Sequence, residues 1–176
     1  MKDMTRISRW LIPLSLLLAS FVYAADDFDE DYDNRSWQEV EVRLPAAPKM
    51  ENLIPIYVSA ATSNQFFVDA ASLSVGADGV VRYVLEIRSA AGVRNVSFEG
   101  MRCETRERRI YASGRQDGSW SKARHNEWVR IQDAYANRHH AVLFLEYFCP
   151  FGNIVLDAEE ARLALKQGGH PDVRRK

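Results

Sequence analysis

The chain has 176 residues, with 23 Lys and Arg against 24 Asp and Glu and a net charge of −1. That length suits one domain with a real core, and the export read from the N-terminus below disfavours a nucleic-acid partner. A composition that is 47% hydrophobic and 27% charged is that of a globular chain.

The N-terminus reads as a secretory signal peptide over residues 1–24. Lys2, Arg6 and Arg9 form a positive region, Trp10 to Val22 is apolar, and Val22-Tyr23-Ala24 places small or medium residues at the −3 and −1 positions for cleavage before Ala25. The apolar run is shorter than the ~20 residues a spanning helix needs. With no cysteine at the cleavage site and no twin arginine, the general secretory route is expected, and no transmembrane anchor after cleavage. Removal of residues 1–24 leaves 152 residues with a net charge of −3.

Residues 25–36 form an acidic tail. Six carboxylates, Asp26, Asp27, Asp29, Glu30, Asp31 and Asp33, stand against Arg35, a density that predicts disorder. The expected domain runs from 37 to 168. Val40, Val42 and Leu44 alternate with Glu39, Glu41 and Arg43 as in a half-buried strand. Pro45 to Pro48 stops it. Ile54–Ser59 is a second strand candidate, held to an edge by Pro55. Gln65–Val68 is a third, followed by a turn or single helical turn over Asp69–Leu73.

Asp78-Gly79 is a hairpin dipeptide. After it Val81, Tyr83, Leu85 and Ile87 fall on one face of a strand. Ala90 to Gly92 turns the chain, and Val93–Thr105 returns. There Val96 and Phe98 share one parity while Met101 and Cys103 share the other, so a β-bulge at Gly100 is expected. Arg109–Ser113 continues as a strand, Gln116 to Ser119 is a turn, and Trp128–Ile131 is a short strand. Ala141, Leu143, Leu145, Tyr147 and Cys149 alternate along a predicted last strand with both faces apolar. The one helix expected is Ala158–Gln167, capped by Asp157 with Glu160 three residues on and ended by Gly168. Gly169–Lys176 reads as a polar tail. The fold class is α+β: an antiparallel sheet of about six or seven strands with one C-terminal helix.

The mature part carries two cysteines, Cys103 and Cys149. In an exported protein an even count reads as one intramolecular disulfide. Buried free thiols and an intermolecular bridge are the alternatives. The separation of 46 residues lacks the spacing of a zinc or redox pair.

Nucleotide-binding glycine loops, a G-x-S-x-G elbow and an H-E-x-x-H helix are missing from the sequence, and no cofactor is expected. His139 and His140 are adjacent on a predicted strand, where they point to opposite faces. His125 and His170 read as surface residues. One segment stands out. Residues 102–130 carry eight cationic and four acidic side chains. Arg102, Arg106, Arg108, Arg109, Arg115 and Trp120 are the candidate anion- or partner-binding residues, and the bland alternative is a solvated strand face with local ion pairs. The acidic tail shielding this segment is a further expectation.

Several stretches resemble a known family: Pro45-Ala-Ala-Pro48, Glu51-Asn-Leu53, Phe66 to Tyr83, Arg94-Asn-Val-Ser-Phe-Glu-Gly100, Arg102-Cys-Glu-Thr-Arg-Glu-Arg108 and Tyr147-Phe-Cys-Pro150. Over roughly residues 37–170 the chain resembles the CNP1-like family of exported betaproteobacterial proteins. The resemblance implies a Gram-negative host and a periplasmic or envelope location, with outer-membrane or surface exposure as the alternative address. It carries no catalytic residue or cofactor. The layout is also similar to that of surface-adhesin protein E domains. The sequence-level expectation is a non-enzymatic envelope module that binds a partner protein or an anionic envelope polymer. An adhesin and an uncatalogued envelope hydrolase are the alternatives.

Overall fold

A computed structural model describes residues 37–174. The signal-peptide and acidic-tail assignments lie outside the described residues, as do the last two positions of the polar tail.

Seven antiparallel strands form one sheet: β1 (Leu53–Ile56), β2 (Gln65–Val75), β3 (Val80–Arg88), β4 (Arg94–Arg102), β5 (Glu107–Gly114), β6 (Trp120–Lys122) and β7 (Val129–Arg130). They lie in sequence order, with both β6 and β7 pairing with β5. The central hairpin forms for the reasons legible in its sequence. Val81, Tyr83 and Leu85 are all fully buried on one face, and Gly79 and Gly92 supply the positive φ its two turns require. Pro55 sits in edge strand β1, which pairs only with β2.

The C-terminal third is helical. Helix α1 (Arg138–Val142) runs on into a wider π-helical turn over Leu143–Phe148, closed by an i→i+5 bond from Cys149 N–H to Phe144 O of 3.0 Å. Helix α2 (Ala158–Lys166) follows, then a short α3 (Pro171–Arg174). The class is therefore α+β, with an antiparallel sheet of the expected size and helices in the C-terminal region. α2 has the expected cap: Glu160 N–H donates to Asp157 Oδ1 at 2.9 Å, Leu156 N–H donates to Glu160 Oε2 at 2.5 Å, and Gly168 takes φ 70° beyond its end.

Four local expectations fail for identifiable reasons. The predicted last strand over 141–149 is helical. Two exposed residues in a row, Leu145 and Glu146, flanked by the buried pairs Leu143-Phe144 and Tyr147-Phe148, give the one-turn spacing of a helix and break the alternation of a strand. Residues 39–44 form no strand; the 37–48 stretch is an arm that docks through side chains. Asp69–Leu73 is not a turn but part of β2, whose register shifts between Asp69 and Ser74. Gly100 is not bulged either: β3 and β4 pair without interruption, and the extra residue is Tyr111 on β5, between Phe98↔Ala112 and Glu99↔Ile110. Both parities of β4 are buried because both faces of the sheet are covered. Met101 and Cys103 enter the large core against the helices. Val96 and Phe98 join Val84, Tyr111, Ala112, Trp120 and Val42 of the arm in a smaller cluster on the other face.

Cys103 and Cys149 are disulfide-bonded, with Cα atoms 5.5 Å apart. The bridge ties the end of β4 to the end of the π-helical turn, and it fixes where α1 crosses the sheet. The start of the segment read as a polar tail is docked: His170 is buried, its N–H donates to Glu146 O, and its Nε2 lies 3.2 Å from Glu160 Oε1.

Candidate functional site

The six candidate residues are distributed over the sheet rather than gathered in one patch. Arg102 and Arg109 share a face with Gly100, beneath the arm. The Arg102 guanidinium stacks 3.8 Å from the Trp37 ring centre and pairs with Glu104 at 3.4 Å. Arg109 pairs with Glu39, whose other carboxylate oxygen accepts from the Tyr111 hydroxyl at 2.5 Å. Arg82, which also lies on this face, is held by Asp78 at 2.5 Å. Trp120 donates its indole N–H to Pro45 O. These groups are engaged by the arm, which buries them against the sheet. Arg115 stands exposed beside the Gln116–Ser119 turn. Arg106 has φ 54° in the β4–β5 connection and lies 5.3 Å from the Phe144 ring centre.

Arg108 sits opposite Met101, so it faces the helices, and among the described residues its guanidinium, like those of Arg106 and Arg115, makes no hydrogen bond or ion pair. It lines a recess of about 120 Å³ with Arg130, Ile131, Asn137 and His140.

Behind His140 lies a buried polar network that does not itself line the recess. Glu99, 2% exposed, accepts from the Tyr83 hydroxyl at 3.1 Å and the Ser97 hydroxyl at 2.5 Å, and lies 2.8 Å from His140 Nε2. Burial alone raises a carboxyl pKa. The adjacent His140 and the Ser97 hydroxyl outweigh that, and hold Glu99 at about 2. Burial pushes the Tyr83 phenol well above its usual value, so it remains a donor. An ionised Glu99 fixes the proton of His140 on Nε2. That leaves His140 Nδ1, buried and with no hydrogen-bond partner. His139 stacks on Phe66 and lies 4.0 Å, centre to centre, from the His140 ring. Burial, with His140 adding to it, lowers its pKa to about 4, so it is neutral at physiological pH.

The recess is lined by two guanidiniums, the amides of Gln132 and Asn137 and the His140 imidazole, and its lining includes no carboxylate, hydroxyl or thiol. The two guanidiniums make the recess cationic. At about 120 Å³ it is smaller than the ~300 Å³ at which organic-ligand pockets begin. Sequence reasoning reached Arg108 through the charge run but missed His140 and Glu99. The signal was present in the helical spacing of residues 140–148, which places adjacent histidines about 100° apart instead of on opposite faces.

The model of the CNP1-like family matches residues 32–166. Compared with curated proteins and with solved structures, the chain finds no match.

Proposed function

The chain belongs to the CNP1-like family, and from that premise we propose that it is an exported, non-enzymatic binding module of a Gram-negative envelope, resident in the periplasm, whose recess at Arg108 and His140 seats an oxyanion of its ligand. The observation that carries this reading is the unpartnered Nδ1 of a histidine that is 4% exposed, on the wall of a recess that also holds an uncommitted guanidinium. A buried polar atom without a partner costs about 1–3 kcal/mol, and an anion that accepts from Arg108 and from an Nδ1–H that His140 gains as the anion binds removes that cost. The ligand class is a phosphate or carboxylate group, free or at the end of an envelope polymer or protein. Export is supported by the N-terminal pattern and agrees with the disulfide. It requires a mature protein that begins at Ala25, which intact-mass measurement of the cell-derived protein reads directly.

The ligand reading is tested by thermal unfolding in sodium phosphate against sodium chloride of equal ionic strength. At a Kd of ~1 mM, ~10 mM phosphate adds about 1.4 kcal/mol and raises Tm by a few degrees. Arg108→Gln abolishes the rise. An equal rise in chloride, or one that persists in Arg108→Gln, refutes the recess as the site.

A further inference from the structure

A second, larger depression lies on the other side of the first turn of α1. Its volume is about 300 Å³, at the lower bound for sites that take organic ligands. One wall is the loop between β1 and β2, with Ser59, Thr62, Ser63 and Asn64; the floor includes Phe66 and His139. Tyr135, 75% exposed, completes the lining, and its hydroxyl donates to Ala61 O of the loop at 3.1 Å. The loop is shaped from within. Ala61 N–H donates to Ser59 Oγ at 3.1 Å and Asn64 N–H to Thr62 Oγ1 at 3.2 Å, which leaves both hydroxyl protons available to a ligand.

The lining sets hydroxyl and amide side chains beside Val58, Phe66 and Ile87. Arg138 is its one ionised side chain, and it lies 4.0 Å from Asp133. His139 is kept neutral by burial. Hydroxyl and amide side chains beside an exposed aromatic face suit a ligand with many hydroxyls and apolar C–H faces. A phosphorylated or sulfated polymer would find one compensated cation here, whereas the recess at Arg108 offers two without a lining carboxylate.

We infer that this groove is a binding site for a neutral saccharide chain, with a sugar ring stacked on Tyr135 and its hydroxyls bonded by Ser59, Thr62, Ser63 and Asn64. Tyr135 and the 59–64 loop set specificity, Phe66 closes the floor, and the site stands independently of the anion recess.

The test is an NMR titration of the purified protein with N-acetylglucosamine tetraose and with maltotetraose. Binding with a roughly millimolar Kd or tighter shifts amides of residues 58–64 and 135–139 for at least one of them. Tyr135→Ala weakens that binding by about tenfold, the upper range of one aromatic stacking contact. Tyr135→Phe keeps the ring and stays within about threefold of the wild type. Arg108→Gln leaves saccharide binding unchanged, so failure of the anion reading and failure of this one are told apart. The inference is overturned if neither tetrasaccharide shifts these amides at ~10 mM, a concentration ten times a millimolar Kd. It is equally overturned if Tyr135→Ala binds as the wild type does, or if only a sulfated saccharide binds.

Discussion

Replacing Glu99 with Gln tests whether the buried network is held together by a charged carboxylate. Glu99 takes donors from Tyr83 and Ser97 and faces His140 Nε2. A glutamine retains one acceptor and turns an N–H2 toward the remaining donors. The size of the loss follows from the pKa. A carboxyl lowered from its ordinary 4.5 to about 2 on folding, at about 1.4 kcal/mol per pH unit, contributes about 3 kcal/mol to stability. Because the folded value is the lower one, this contribution is fully present above pH ~4.5 and is lost as the pH falls toward ~2. Urea denaturation of wild type and Glu99→Gln at pH 5 and pH 3 gives the comparison. The gap between them is expected to be about 3 kcal/mol at pH 5 and about 1 kcal/mol at pH 3. A gap that is the same at both pH values would show that Glu99 is not ionised in the folded state, and would remove the basis for placing the His140 proton on Nε2.

Three further outcomes follow from other parts of the structure. His139 has a folded pKa of about 4, below its ordinary 6.5, so it too destabilises the protein on acidification, between pH ~6.5 and ~4; His139→Phe keeps the stack on Phe66 and should flatten the stability profile in that window, as read by Tm against pH. Replacing both Cys103 and Cys149 with Ser opens a loop of 46 residues and should cost about 4 kcal/mol by chemical denaturation. At Gly100 a Cβ would lie 2.3 Å from the Tyr111 hydroxyl oxygen, and Tyr111 cannot retreat while Glu39 holds it; Gly100→Ala should therefore cost about 1–3 kcal/mol, in part relieved by Tyr111→Phe in the double variant.

What the sequence made legible is the local chemistry of turns and caps. Asp78-Gly79, the Ala90 to Gly92 turn, the Gln116 to Ser119 turn and the Asp157 cap of α2 act through their own side chains or backbone freedom, so neighbours in the chain suffice to read them. The α1 segment was hidden because 140–149 satisfies two periods at once: period 2 through Ala141, Leu143, Leu145, Tyr147 and Cys149, and period 3.6 through His140, Leu143, Phe144, Tyr147 and Phe148. Burial decides for the second, since Leu145 is exposed. That single choice of period also hid the site, because on a strand His139 and His140 cannot share a network. The arm carries a different lesson. Of the alternating Val40, Val42 and Leu44 only Val42 packs on the sheet, and Glu39 and Trp37 make the arm's decisive contacts, with partners some 40 to 70 residues away that no local pattern reveals.

The most direct test of the anion recess is the His140 ring itself, observed by side-chain nitrogen NMR while inorganic phosphate is added at constant ionic strength. The account predicts that phosphate moves the Nδ1 resonance toward the protonated value while Nε2 keeps its proton, with a saturating curve that vanishes in Arg108→Gln. An Nδ1 signal indifferent to phosphate, or one that responds equally in Arg108→Gln, would contradict it.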